Sequence, residues 1–459
     1  MKNSPAPSRP DRKRISRRFA APYYRVWYLA WPMILSNITV PLLGAVDTAV
    51  LGHLSSPEYL SGVAIGASVI SMLLWAFGFL RMGTTGLVAR AGRDGEAAAR
   101  WLARALCLAG LLGTAVLLCA SPLLSLITQW MNASAEAAPH AQDYLQIRLL
   151  SAPLALANFA LLGFFIGRQD SRAPLMILVA ANLLNIVLDL VLIIGLDMGA
   201  RGAAWASVSA DVSSFTLGWW LLGRRHRAAR DGFSRLIRRK DFWPWQKVAP
   251  WLELLRINTD LFIRTCLLLF TLAFFTAQGA AQGDAVLAAN AILIQLLMMT
   301  SYALDGFAHA TESLVGRAIS RRSMTQFLRT VTAAGVWAMV TAGLITAVFI
   351  IGGDWILPLF TGIPEVLAIA HRYYPWLCAL PLVAVWSYQL DGVFIGAGKS
   401  RQMRDTMFIA TLMVFLPCWW FTRQFDNSGI WFSLFLWFSA RSLGLLVYFY
   451  IYTKSKYWL

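Results

Sequence analysis

Asp47 lies in WPMILSNITVPLLGAVDTAVLGHL, Trp31 to Leu54, an apolar stretch with no other carboxylate. An acid held in hydrocarbon costs roughly 2.5–3.5 kcal/mol, so one that is kept there pairs, ligates a cation or exchanges a proton. Pro32 and Pro41 in the same stretch each remove a backbone donor and favour a bend. Asn37 and Gly44 fall near the face of Asp47. Further on, Asn182, Asn185 and Asp189 are spaced i, i+3, i+7 and share one helical face. Ser207 and Asp211 follow in the next apolar run. The bland alternative for each acid is a structural pair across helices, or a helix end that reaches water.

Those residues need a membrane-spanning scaffold. The chain has 459 residues, 58% of them hydrophobic and 14% charged, with 20 Trp and 26 Phe. Runs of about 20 apolar residues recur, which defines an all-α polytopic membrane protein. Hydropathy places about twelve spans at 26–51, 60–83, 101–121, 144–167, 173–196, 202–223, 252–278, 286–309, 328–351, 373–397, 405–422 and 430–452. Cys107, Cys119, Cys266, Cys378 and Cys418 all fall in apolar runs without a CxxC pair, so they read as small core residues. No metal set is expected, and the basic start of the chain does not read as a cleavable signal peptide.

Loop charge sets the expected orientation. Arg90, Arg93 and Arg100 follow span two, Arg168 and Arg172 span four, Arg317, Arg321 and Arg322 span eight, and Lys399, Arg401 and Arg404 span ten. The alternate loops carry Glu58, Glu136 and Asp143. Roughly 32 of the Lys and Arg fall on one side, which the positive-inside rule makes cytoplasmic, with both termini there and the plasma (inner) membrane as the location. The net charge of +17 is thereby assigned to loops beside anionic lipid, and no nucleic-acid partner is expected. The segment between the halves, RRHRAARDGFSRLIRRKDFWPWQK, reads as a basic linker with Phe242, Trp243 and Trp245 at the lipid interface.

The two halves repeat. The segment from Leu60 to Gly95 aligns without gaps to Leu287–Arg322, sharing Leu87-Val88-Ala89-Arg90 against Leu314-Val315-Gly316-Arg317. Gly163-Phe164-Phe165-Ile166-Gly167 parallels Gly392-Val393-Phe394-Ile395-Gly396. Both offsets, about 227 and 229, agree, and six spans per half make the repeats parallel. The expected organisation is a tail over 1–25, a six-helix lobe over 26–223, a linker over 224–251 and a second six-helix lobe over 252–459.

Helical rise estimates depth. Asp47 and Asp189 lie about 31 and 24 Å along helices that start inside, and Ser207 and Asp211 about 8 and 14 Å down from the other surface. These groups are expected to converge in the outer half of the first lobe. In the second lobe Asp260, Arg264, Asp305 and Asp391 lie nearer the basic side. Arg256 and Arg264 flank Asp260 at i±4, which suggests a structural ion-pair network there. Asp305 and Asp391 are the candidates for a substrate path, with Arg81 as a partner for one of them.

With Asp47, Pro32, the Asn185–Asp189 face and the duplicated lobes in place, the chain resembles the MATE (multidrug and toxic compound extrusion) transporters. It is most similar to the DNA-damage-inducible F-type branch, through YALDGFAHATES from Tyr302 and YQLDGVFIGAG from Tyr388. The resemblance implies twelve helices in two lobes that alternate access and export lipophilic or cationic compounds in exchange for protons or sodium ions. It maps the ion-coupling site onto Asp47, Asn185, Asp189 and Ser207, where Ser207 keeps a hydroxyl, and the bending proline onto Pro32. Pro32, Asn37, Gly44, Asn182 and Asp211 then belong to the cavity or its gating. No cofactor is implied beyond the coupling ion, H+ or alternatively Na+, and nothing requires more than a monomer.

Two other classes compete. A flippase of lipid-linked precursors needs a cationic central cavity, for which only Arg81, Arg264 and Arg441 are at membrane depth. An intramembrane enzyme needs paired catalytic groups, and the Asp-Gly pairs at Asp305 and Asp391 lack that context.

Overall fold

The computed structural model describes residues 21–39, 57–119, 137–238, 242–243 and 247–458, and all regular structure among them is helical. Span one is described over 21–39, where an unbroken helix runs through Pro32. Asp47, Gly44, Pro41 and Trp245 lie outside the described residues. Span two comprises Pro57–Phe77 and Phe79–Arg90, span three Gly95–Leu118, and span four Ala137–Leu150 with Ala152–Gly167. Span five is Arg172–Asp189 continued by a π-helix, Leu190–Gly195, and span six is Gly199–Arg225. The second lobe holds Val248–Ala280, Asp284–Ser320, Met324–Ile356 and Pro364–Ala397. Its last two spans are Ser400–Thr422, with a π-helical stretch over Ile409–Phe415, and Asp426–Lys454.

Eight described helical stretches are long and apolar enough to cross a bilayer, or nine with the two halves of span four taken together. One of them, Ser400–Lys454, carries spans eleven and twelve. Span six is not in that set, and it contains Arg201, Asp211, Arg224 and Arg225.

Local chemistry explains where helices start and bend. Asp94 accepts hydrogen bonds from the backbone N–H of Glu96 and Ala97, and Ser323 accepts from Gln326, so spans three and nine begin at side-chain caps. Span four bends by 52° between Leu150 and Ala152. Pro153 follows at once, and its ring would clash with the carbonyl four residues back in a straight helix. Span eight runs on to Ser320, well past the expected end at 309.

In lipid, helices associate through close packing more than through expulsion of water. Small residues supply that closeness in both repeats. A Cβ on Gly163 would meet the carbonyl of Arg81 at 2.5 Å, and one on Gly392 would meet that of Ala308 at 2.5 Å. Gly167 abuts Thr85 in the same way, and Gly396 abuts Glu312. Each pair couples the fourth helix of a lobe to its second at repeat-equivalent positions. The next turn also matches: Gln169 and Gly398 have φ of 65° and 68°.

Among the described residues, the lobes share a core at one end. Leu87 and Leu156 pack with Leu254, Val315, Ile395 and Leu445 at the end that carries the basic loops. At the far end each lobe keeps its own cluster, Val63, Tyr144, Leu149 and Ile193 in the first, and Phe275, Leu296, Leu377 and Trp431 in the second. The hydrogen bonds between lobes among the described residues lie in the basic half or near the middle, such as Gln169 Nε2 to the Ser313 carbonyl (3.2 Å) and Trp337 Nε1 to the Tyr23 carbonyl (3.1 Å). Among the described residues, the lobes are therefore joined at the basic end and keep separate core clusters at the other.

The linker differs from expectation. Arg227–Arg238 forms a helix, and Phe242 is buried beneath the Arg104 guanidinium and against Trp251 instead of lying at the lipid interface. Burying the ring against a cation and an indole gives it more contact than a headgroup layer would.

Candidate functional site

Span five builds the first-lobe site. Leu183, Val187 and Leu190 are exposed on its outer face, while Asn185 and Asp189 are each only 1% exposed on the inner one. The neighbours of the Asn185 amide assign its orientation: its oxygen then accepts from the Ser207 backbone N–H (3.1 Å) and its nitrogen donates to Asp189 Oδ2 (3.3 Å). Ser207 thus enters through its backbone, where the sequence pointed to its hydroxyl. Asn182, one turn away, donates to Thr39 Oγ1 at 3.0 Å and so docks span five on the last described turn of span one. The π-helix begins immediately after Asp189, and such turns collect at functional positions because they re-aim side chains within a helix.

Asp211 does not join this group. Its Oδ2 accepts from Arg148 Nη1 (2.6 Å) and the Ser151 hydroxyl (2.7 Å), and its carbonyl accepts from Asn158 (3.0 Å). The bend in span four brings Arg148 and Ser151 to span six, a juxtaposition that spacing within one helix does not reveal. Asn37 also points elsewhere, donating to the Tyr302 carbonyl in the second lobe at 3.0 Å.

The second-lobe acids pair, though not along their own helices. Asp260 accepts from Ser400 Oγ (2.9 Å) and Arg404 Nη1 (2.7 Å) of span eleven, and not from Arg256 or Arg264. Its face is buried against span eleven, which supplies the closer cation. Arg264 instead bonds Asp391, which also takes Arg441 Nη2 at 3.2 Å. Each lobe thus ties its fourth helix to its sixth with a carboxylate–arginine pair, the signs exchanged between Arg148–Asp211 and Asp391–Arg441.

A third cluster sits on the seam between lobes. Arg81 of span two lies 3.2 Å from His309 Nδ1 and 3.7 Å from Glu312 Oε2, and the same Nδ1 is 3.2 Å from Glu312 Oε1. One nitrogen faces both a donor and an acceptor. Protonated, it donates to Glu312; unprotonated, it accepts from Arg81. His309 and Glu312 follow Asp305 at i+4 and i+7, so all three lie on one face of span eight. Asp305 makes no hydrogen bond or ion pair with another described residue.

Sequence reasoning missed Arg148, His309 and Glu312. The signal for the last two was the spacing Asp305-His309-Glu312, obscured because charged residues lower hydropathy at the end of span eight. Arg81, Arg264 and Arg441 are all opposed by carboxylates. The free cationic cavity that a pyrophosphate flippase needs is therefore not formed by these three.

Two parallel six-helix lobes, joined at the basic end among the described residues and carrying buried polar groups on their inner faces, are the architecture of a membrane transporter. The chain belongs to the MATE family of multidrug efflux transporters. The MatE family model matches residues 32–191 and again 261–420, an offset equal to that between the glycine motifs. The chain is 40% identical over 425 residues to the DNA damage-inducible protein F of Escherichia coli (strain K12), covering 92% of this chain and 90% of that protein. It is 25% identical to the probable multidrug resistance protein NorM of Thermotoga maritima, covering 88% and 86%. The fold superposes with a TM-score of 0.83 on an outward-facing multidrug resistance MATE transporter of the MOP superfamily, at 21% identity and covering 95% and 96% of the two chains.

Proposed function

We propose that the protein is a proton-coupled antiporter that exports lipophilic or cationic compounds by alternating access. The observation that carries this reading is Asp189, buried on the inner face of the first lobe with an amide nitrogen aimed at it. An ionised Asp189, with Asp47 on the neighbouring span, attracts a cationic substrate and needs water or a donor beside it. Protonation removes that demand, lets helix one bend at Pro32 and shrinks the cavity, releasing the substrate. Each proton entering down 100 mV supplies about 2.3 kcal/mol, in addition to any pH gradient.

Asn185 favours a proton over sodium. It presents nitrogen to Asp189, so a sodium ion held between them would require the amide to turn over and leave the Ser207 N–H. A proton requires neither. With the basic end cytoplasmic in the inner membrane, the other end opens outward, the state in which substrate leaves and protons enter.

Resistance in cells that express Asp47→Asn or Asp189→Asn tests the reading. Each variant should reach the membrane at the normal level and lose efflux. Full resistance with either variant would overturn it.

A further inference from the structure

Several basic side chains at the closed end have acidic partners. Arg90 pairs with Glu253 (3.1 Å), Arg225 with Asp170 (2.8 Å) and Arg404 with Asp260 (2.7 Å). One group does not. Arg25 of span one and Arg317, Arg321 and Arg329 around the turn between spans eight and nine line a single cavity of about 230 Å³, together with Gln326 and Thr330. Among the described residues, no carboxylate lines it. Arg25 Nη2 and Arg317 Nη1 both donate to one neutral acceptor, Gln169 Oε1, at 2.7 and 2.6 Å. Arg317 Nε is buried with no hydrogen-bond partner. Arg317 also lines a smaller neighbouring pocket of about 100 Å³ with Arg93 and Arg168.

Four guanidiniums gathered round a cavity without an anion repel one another. The fold therefore holds a positive hole at the basic end of the bundle. Guanidinium forks match the oxygen pairs of a phosphate group, and charge-assisted bonds to phosphate are about twice as strong as neutral ones.

We propose that this cavity binds a phosphate-bearing anion that bridges the lobes. Arg25 belongs to the first lobe and the other three arginines to the second. A phosphate shared among them ties span one to spans eight and nine and holds the basic end closed. The chemistry is the same whether the phosphate belongs to an anionic phospholipid headgroup or is free in solution. The bridge breaks when the lobes part at this end, so the ligand shifts the balance between the two access states toward the one described above.

Thermal unfolding of the full chain in detergent tests this. Short-chain phosphatidylglycerol, phosphatidylcholine and inorganic phosphate are added separately at constant ionic strength. Stabilisation by phosphatidylglycerol alone supports the site with a lipid as its source, and stabilisation by inorganic phosphate as well supports it with the phosphate group sufficient. Stabilisation by neither overturns the proposal. Arg321→Gln and Arg329→Gln change exposed side chains and should fold normally, as their unfolding without additive will show. Each should raise the half-saturating concentration about tenfold, the scale of one lost charge-assisted bond. Arg401→Gln, on the same face but outside the cluster, should not. Equal half-saturation in all three variants overturns the proposal.

Discussion

Arg81 Nη1 stands 3.7 Å from Glu312 Oε2, an ion pair that joins span two of the first lobe to span eight of the second. Both side chains are largely buried, and Glu312 Oε2 has no hydrogen bond of its own. On the alternating-access proposal this interface opens during transport, and the pair would then act as a latch on the closed end.

Glu312→Gln should loosen that end. Removing one member of a buried pair strands the other charge, at a cost of about 3–5 kcal/mol. In a cysteine-free background, Gln169→Cys and Ser313→Cys place thiols at a contact between the lobes at the closed end. Their cross-linking should fall several-fold in the Glu312→Gln protein. Unchanged cross-linking would remove the latch role.

Arg148 and Asp211 should behave as a structural pair. Either Arg148→Met or Asp211→Leu alone leaves an unpaired charge beside the bend in span four, and should lower the melting temperature clearly. The double variant should recover a large part of the loss, because two apolar groups need no partner. Simple additivity in the double-mutant cycle would contradict the pairing at 2.6 Å.

Acid should weaken the loop after span four. Burial pushes the Asp170 carboxyl up, but the His226 ring 3.6 Å away and the Arg225 guanidinium hydrogen-bonded to it outweigh burial and leave the group below the usual carboxylate range. A carboxylate depressed by folding contributes stability above its unfolded pKa, near 3.9, and that contribution is lost as pH falls through the lower folded value. The melting temperatures of the wild type and Asp170→Asn should therefore differ at neutral pH and converge below about pH 4. A constant gap across that range would contradict the assignment.

Sequence periodicity reached as far as faces and repeats. The i, i+3, i+7 spacing placed Asn182, Asn185 and Asp189 on one side of span five, and the paired glycine motifs marked the repeat in which Gly163 and Gly392 make matched contacts. Partners on other helices were not legible. Asp260 has arginines at i±4, yet it bonds Arg404 on span eleven, because helical spacing says which side a residue faces and not what packs there. Hydropathy ended span eight at 309 because charge lowers the average, while the helix continues with His309 and Glu312 buried against the other lobe. The turn of Asn185 toward the Ser207 backbone depends on a register between two helices that neither sequence encodes alone.

The coupling ion is the centre of the functional proposal, and transport in proteoliposomes measures it directly. Purified protein is given a cationic fluorescent dye, with a proton gradient or a sodium gradient imposed alone. The account predicts dye movement with the proton gradient, none with sodium alone, and loss of the proton-driven movement in Asp189→Asn. Dye movement driven by sodium in the absence of a proton gradient would contradict it.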